Sequence, residues 1–172
     1  MTFPIQKLIF IDFEACSLSE DSWPIEVGLA WVEGGKVQIW SSLIQPDSSW
    51  NAEAWSDDSA GIHGIPRGDL DTAPLASDVA HEVMDRLHGK VVVSDAPAFD
   101  HAWAERLTET IGIVPTELTD FDSVIGAICQ GDKARVNAIF AHMETMETPH
   151  RAGPDAARLA EAIRDGMSIG SK

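Results

Sequence analysis

The chain has no tyrosine, two cysteines, and 12 lysines and arginines against 28 aspartates and glutamates. Each shortage removes a class of function. Two isolated cysteines, Cys16 and Cys129, build neither a disulfide framework nor a thiolate metal cluster. They read as small buried hydrophobes in a protein of the reducing cytoplasm. A formal charge of −16 repels a long polyanion, because extended nucleic-acid binding needs many cationic phosphate contacts. It argues against a duplex-binding surface but leaves room for a small site whose positive charge comes from bound metal, which composition does not count. No apolar run approaches a membrane span. The opening MTFPIQK lacks the basic region and long apolar core of a secretory signal, so the expected location is cytoplasmic, with no membrane partner. The 172 residues, 44% hydrophobic and 23% charged, suffice for one domain spanning 1–172 with a real core.

What is present starts with KLIFIDFEAC, residues 7–16, where Asp12 and Glu14 end an otherwise apolar run. Residues 8–14 read as a strand. IEVGLAWVEGGKVQIWSSLIQP follows, two apolar runs joined at Glu33-Gly34-Gly35-Lys36, which is a hairpin signal. Three antiparallel strands are therefore expected near 8–14, 25–33 and 36–44. Residues 46–72 are polar and turn-rich. Leu75, Val79, Val83 and Leu87 recur at helical spacing up to Gly89, in the place of a C-terminal cap. KVVVS, 90–94, reads as a short buried strand, followed by a helix over 98–112 and two short helices near 121–130 and 133–144. GPDAARLAEAIRDG is a last helix, with Pro154 and Asp155 in the first turn, where a fixed φ and an anion are both favourable. The pattern predicts an α/β fold with a mixed sheet, three antiparallel strands then parallel strands, flanked by helices.

Alternation along a strand puts Asp12 and Glu14 on one face. Two close like charges raise one pKa unless a cation sits between them, and a hard divalent ion with oxygen ligands would satisfy both. The plain alternative is a strand that ends at Phe13 with both carboxylates in water. VVVSDAPAFDHAW places Asp100 at a helix start after a buried strand that can lie beside the first; alone, Asp100 is an ordinary helix N-terminal acid. Asp95 reads as a turn former or polar positioner. His150 precedes Asp155 by five residues in PHRAGPD, and a His beside metal carboxylates suits a general base. The other histidines, 63, 81, 88, 101 and 142, have no comparable partner.

Taken in order, DFEA, SDAPAFD and HRAGPD resemble the three motifs of the DEDDh 3′→5′ exonucleases, the superfamily of ribonuclease T, oligoribonuclease and polymerase proofreading subunits. PIEVG and GIHGI are similar to that family's second strand and pre-helix loop, so the resemblance runs from about residue 7 to 165. It implies a ribonuclease H-like fold and two Mg²⁺ or Mn²⁺ ions held by Asp12, Glu14, Asp100 and Asp155. It also implies hydrolysis of a terminal phosphodiester with His150 as general base. Two such ions would bring −16 to about −12 overall. The implied partners are nucleic-acid 3′ ends, single-stranded DNA or RNA and short oligonucleotides, and a homodimer is common among relatives.

The chain departs from the pattern where many relatives carry Thr and Gly after the first Glu: here Ala15 and Cys16 stand in EACSLS. Where some relatives have Asn before the mid-chain Asp, Asp95 and Ala96 stand. With no basic cluster, binding should rest on the 3′ end and on base stacking, worth roughly 1–3 kcal/mol per base. Phe13, Trp50, Trp55, Phe99 and Trp103 offer rings for it. Core packing is the competing use; it is the expected one for Phe99 and Trp103, and for Trp31 and Trp40 in strands. By resemblance His63 lies near the scissile nucleotide; by spacing alone it is a turn residue. Phe13, Ala15, His63 and Phe99 form the candidate substrate-binding set. Two other readings stay open: a non-catalytic acidic protein-binding module on the same fold, and a small-nucleotide phosphohydrolase. A cluster of four carboxylates is of no use to the former.

Overall fold

A computed structural model of the chain describes residues 4–168. The strands are β1 (Leu8–Ala15), β2 (Pro24–Glu33), β3 (Lys36–Leu43), β4 (Val91–Ser94) and β5 (Leu118–Asp120). They form one sheet in the order β3-β2-β1-β4-β5, with β1–β2 and β2–β3 antiparallel and β1–β4 and β4–β5 parallel. The Gly34-Gly35 turn has positive φ at both residues, which matches the twist of the β2–β3 hairpin it closes. Among the described residues six α-helices flank the sheet: α1 (Asp57–His63), α2 (Ala76–Leu87), α3 (Pro97–Glu109), α4 (Phe121–Cys129), α5 (Lys133–Glu144) and α6 (Ala152–Ser168). Among the described residues no helix is long and apolar enough to cross a membrane.

Side chains alternate across β1 and sort the core into two layers. Ile9, Ile11 and Phe13 pack with Val79, Val83 and Leu87 of α2 and Leu107 of α3. Leu8 and Phe10 pack with Val124 and Ile125 of α4 and with Ala156, Leu159 and Ile163 of α6. Asp12 and Glu14 are in phase with Leu8 and Phe10, so the strand delivers them to the α6 side. There α6 comes unusually close. Gly28 pairs with Asp12 across β2, and a Cβ at position 28 would lie 2.1 Å from both the carbonyl carbon and oxygen of Ala152. Only glycine lets the start of α6 rest on the strand backbone at that point.

Element positions follow the sequence expectation closely, and α5 matches it end to end. Three differences have physical causes. The turn-rich stretch contains the short α-helix α1, capped by the Ser56 side chain and by left-handed Gly64, between two 3-10 turns at Ala52–Ala54 and Arg67–Thr72, with no apolar periodicity to announce them. The three residues of β5 are too few to carry a period. Phe99 is not in the core: it is 52% exposed, because α3 turns Asp100, Ala104 and Leu107 inward instead. Trp50 is buried and stacks on Trp23 at 5.9 Å, so it is a core residue rather than a free ring. Trp31, Trp40, Trp55 and Trp103 are partly buried against the same core.

Candidate active site

The acids that the sequence scatters converge at the carboxyl end of β1. Asp12, Glu14 and Asp155 offer oxygens within 4.8 Å of one another, and so do Asp12, Asp95 and Asp100. Asp12 belongs to both groups and is their hinge. β1 supplies Asp12 and Glu14, the first turn of α3 supplies Asp100, and the first turn of α6 supplies Asp155. Because β4 pairs parallel with β1, the chain leaving β4 for α3 comes out beside Asp12. The far edge of the cluster is set by α6, where Asp155 Oδ2 accepts from the Arg151 amide at 3.1 Å, an acid reaching back to close the helix start.

The protein supplies these carboxylates with little positive charge. Burial, reinforced by Asp100, Glu14, Asp155 and Asp95, pushes Asp12 up to about 10. Burial raises Glu14 to about 7, with Asp155 and Glu26 adding to it. Asp100 is 1% exposed and burial lifts it to about 7, against hydrogen bonds from the Ser94 hydroxyl and the Phe13 main chain. Asp155 is raised by burial, opposed by the Arg151 amide, Arg158 and His150. Its Oδ1 is buried with no hydrogen-bond partner. An orphaned carboxylate oxygen beside three proton-hungry neighbours is a strained arrangement without a cation and a favourable one around it. The donors are all hard oxygens, a set able to hold a divalent ion of the Mg²⁺ or Mn²⁺ type.

Around the cluster is a cleft of about 270 Å³ lined by Asp12, Phe13, Glu14, Asp95, Thr148, His150, Asp155 and Arg158. His150 is exposed and has φ 52°, a left-handed turn residue just before α6. Its neighbour Arg151 is firmly held: Nε and Nη2 donate to Glu26 at 2.9 and 2.6 Å, and the Ala152 amide donates to the same carboxylate at 3.0 Å. Glu26, 3% exposed on β2, thus ties the segment bearing His150 to the sheet.

The remaining expected substrate residues lie in two adjoining places. Ala15 and His63 line a smaller pocket of about 100 Å³ that shares Phe13 and Glu14 with the acid cleft and adds Leu18, Ile62 and Trp103. His63 Nδ1 accepts from the Ile65 amide at 3.0 Å, which leaves the proton on Nε2, and that nitrogen is buried without a partner; burial lowers its pKa. Phe99 packs against Trp103 in a tilted arrangement at 5.8 Å and walls a cavity of about 440 Å³ with Leu18, Ser22 and Arg106, which none of the clustered acids lines. Three residues near the acids were not among the sequence candidates. Asp95 sits in the turn before α3 and enters the cluster; Arg158 is one turn beyond Asp155; Glu26 is an acid inside the apolar run PIEVG. That last misfit, a carboxylate amid buried strand residues, was the one readable signal.

Comparison with known proteins accords with this geometry. The RNase_T family model, described as exonuclease, matches residues 9–163. No curated protein matches the chain. Among solved structures, a 3′-exonuclease recognising the histone mRNA stem-loop is similar at 13% identity and TM-score 0.68, over 95% of this chain and 82% of that one. Exonuclease X in complex with 5′ overhanging duplex DNA is similar at 22% identity and TM-score 0.58, over 96% and 93%. At these identities the structural likeness speaks for the fold, the ribonuclease H-like mixed sheet.

Proposed function

Since the chain belongs to the RNase_T exonuclease family, we propose that it removes nucleotides from the 3′ ends of single-stranded or short nucleic acids by metal-dependent hydrolysis. The observation that carries this is the meeting of Asp12, Glu14 and Asp155 beside His150 in one open cleft, with buried Asp100 joined to them through Asp12. In this reading Asp12, Glu14, Asp100 and Asp155 would hold two Mg²⁺ or Mn²⁺ ions. The ions, when bound, supply charge at the attacking and leaving oxygens and make water a better nucleophile.

The chain's own residues do the rest. His150 takes the proton of the attacking water, and its exposed position lets the proton pass on to solvent. Glu26 and Arg151 hold that histidine at the cleft mouth. Phe13 and Ala15 border the place of the last nucleotide, with His63 Nε2 free to donate into it. Exposed Phe99 offers a ring to a neighbouring base. A chain of charge −16 lacks the basic track a long duplex needs, which favours short or frayed 3′ ends.

The test is incubation with 5′-labelled single-stranded DNA and RNA in Mg²⁺ or Mn²⁺. Stepwise shortening from the 3′ end that EDTA stops is the expected result. Intact strands across a broad panel would overturn the reading, and cleavage of mononucleotide derivatives in preference to oligomers would redirect it to a small-nucleotide phosphohydrolase. Calorimetry showing no Mn²⁺ uptake would leave a protein-binding module instead.

A further inference from the structure

Two arginines flank the acid cluster, and the chain employs them very differently. Arg151 is saturated by the two oxygens of Glu26. Arg158 lines the cleft itself, and its polar contact there is one ion pair to Asp95 at 3.4 Å, long for a charge-assisted bond. Its Nε is buried with no hydrogen-bond partner. A guanidinium has five donors in a fixed fork suited to phosphate or carboxylate, and here most of them are idle. Among the residues that line the cleft, Arg158 is the one permanent cation; His150 is the other basic group.

Charge bookkeeping shows why that matters. Asp12, Glu14, Asp95, Asp100 and Asp155 together carry −5 when ionised, and two divalent ions, as proposed above, supply about +4. A phosphodiester, itself an anion, would then meet a site of net negative sign. Arg158 brings the sum to zero before the substrate arrives. Its place on α6, three residues past Asp155 and so on the same helix face, points it at the same cleft. The Asp95 contact is weak enough to be exchanged, since an ion pair at this distance with 19% and 36% exposed side chains contributes little.

We propose that Arg158 is a phosphate-binding residue of this cleft, parked on Asp95 and donating to a non-bridging oxygen of the phosphate that enters it. The inference rests on the exonuclease reading and adds to it a direct protein contact to substrate and to the 5′-monophosphate product. The experiment uses the full chain in Ca²⁺, with adenosine and thymidine 5′-monophosphate as probes, followed by calorimetry. Arg158→Ala and Arg158→Gln should weaken monophosphate binding about 10-fold or more, the worth of a charge-assisted hydrogen bond. Arg158→Lys should restore part of it. Mn²⁺ binding should be undiminished in all three, which also shows that the variants fold. In turnover, the slope of log KM against log salt should fall by about 0.7 in the alanine variant, one phosphate contact on a single strand. If wild-type protein shortens 3′ ends but Arg158→Ala leaves both monophosphate affinity and the salt slope unchanged, the assignment fails alone. If the wild type neither binds monophosphate nor shortens strands, the exonuclease reading and the assignment fail together.

Discussion

Glu14 and Glu26 face each other on neighbouring strands, and the fold treats the two carboxylates in opposite ways. Glu26 receives a guanidinium fork and a main-chain amide. Glu14 receives neither: it looks onto Asp12 and Asp155 and is driven toward protonation. The two glutamates show that a buried carboxylate marks a site only when the protein declines to neutralise it. Glu26 is a structural clamp, and the Asp12–Glu14 pair is left able to accept a cation.

The two regions should therefore answer mutation with opposite signs. Asp12→Ala carries the largest effect on turnover: losing the acid shared by both groups removes several kcal/mol of charge stabilisation, a fall of at least about 10³-fold. The same change should leave the melting temperature in EDTA unchanged or higher, since repulsion is relieved; a marked drop would show that Asp12 is structural. Glu26→Ala should do the reverse and cost about 1–3 kcal/mol of stability, chiefly by leaving the buried Ala152 amide unpaired while the half-exposed Arg151 turns to water, read in a urea titration. His150→Ala, on the segment Glu26 ties down, should slow turnover by about 10²–10⁴-fold with Mn²⁺ binding kept; wild-type rates would remove it from the mechanism.

The smallest effect is in pH. Folding lifts Glu14 and Asp100 from their ordinary values to about 7 and Asp12 to about 10, so the folded state holds protons that the unfolded chain has released. In EDTA, stability from these groups is full at about pH 4 and is lost as pH climbs through 7 toward 10. The melting temperature should fall along that range, less steeply in Asp12→Asn, and Mn²⁺ should raise it more at pH 8 than at pH 5. A flat profile in EDTA would mean that the cluster is better compensated than its geometry indicates.

Much of this was readable from the chain. Strict alternation in LIFIDFEA fixed the shared face of Asp12 and Glu14, and the short apolar run VVVS pointed to a parallel neighbour that brings Asp100 across. Glu26 and Arg151 could not be paired by reading, because 125 residues separate them and no local pattern links a strand acid to a distant loop base. Asp95 looked like turn chemistry, which it also is; its nearness to Asp12 depends on how the β4–α3 turn is aimed. Core packing was the expected use of Phe99, an aromatic at the start of a helix, whereas on α3 it lies one residue out of phase with the inward face of Asp100, Ala104 and Leu107.

The bare backbone contact at Gly28 decides which parts of the protein are free to move. With the main chain of Ala152 seated against β2 and no side chain between them to act as a spacer, the main-chain spacing between Asp12 and Asp155 is set by the packing of two regular elements. Any give at the cleft rim thus falls to residues 145–149, which carry Thr148 and have no helix or strand of their own, while His150 stays beside the Arg151 anchor.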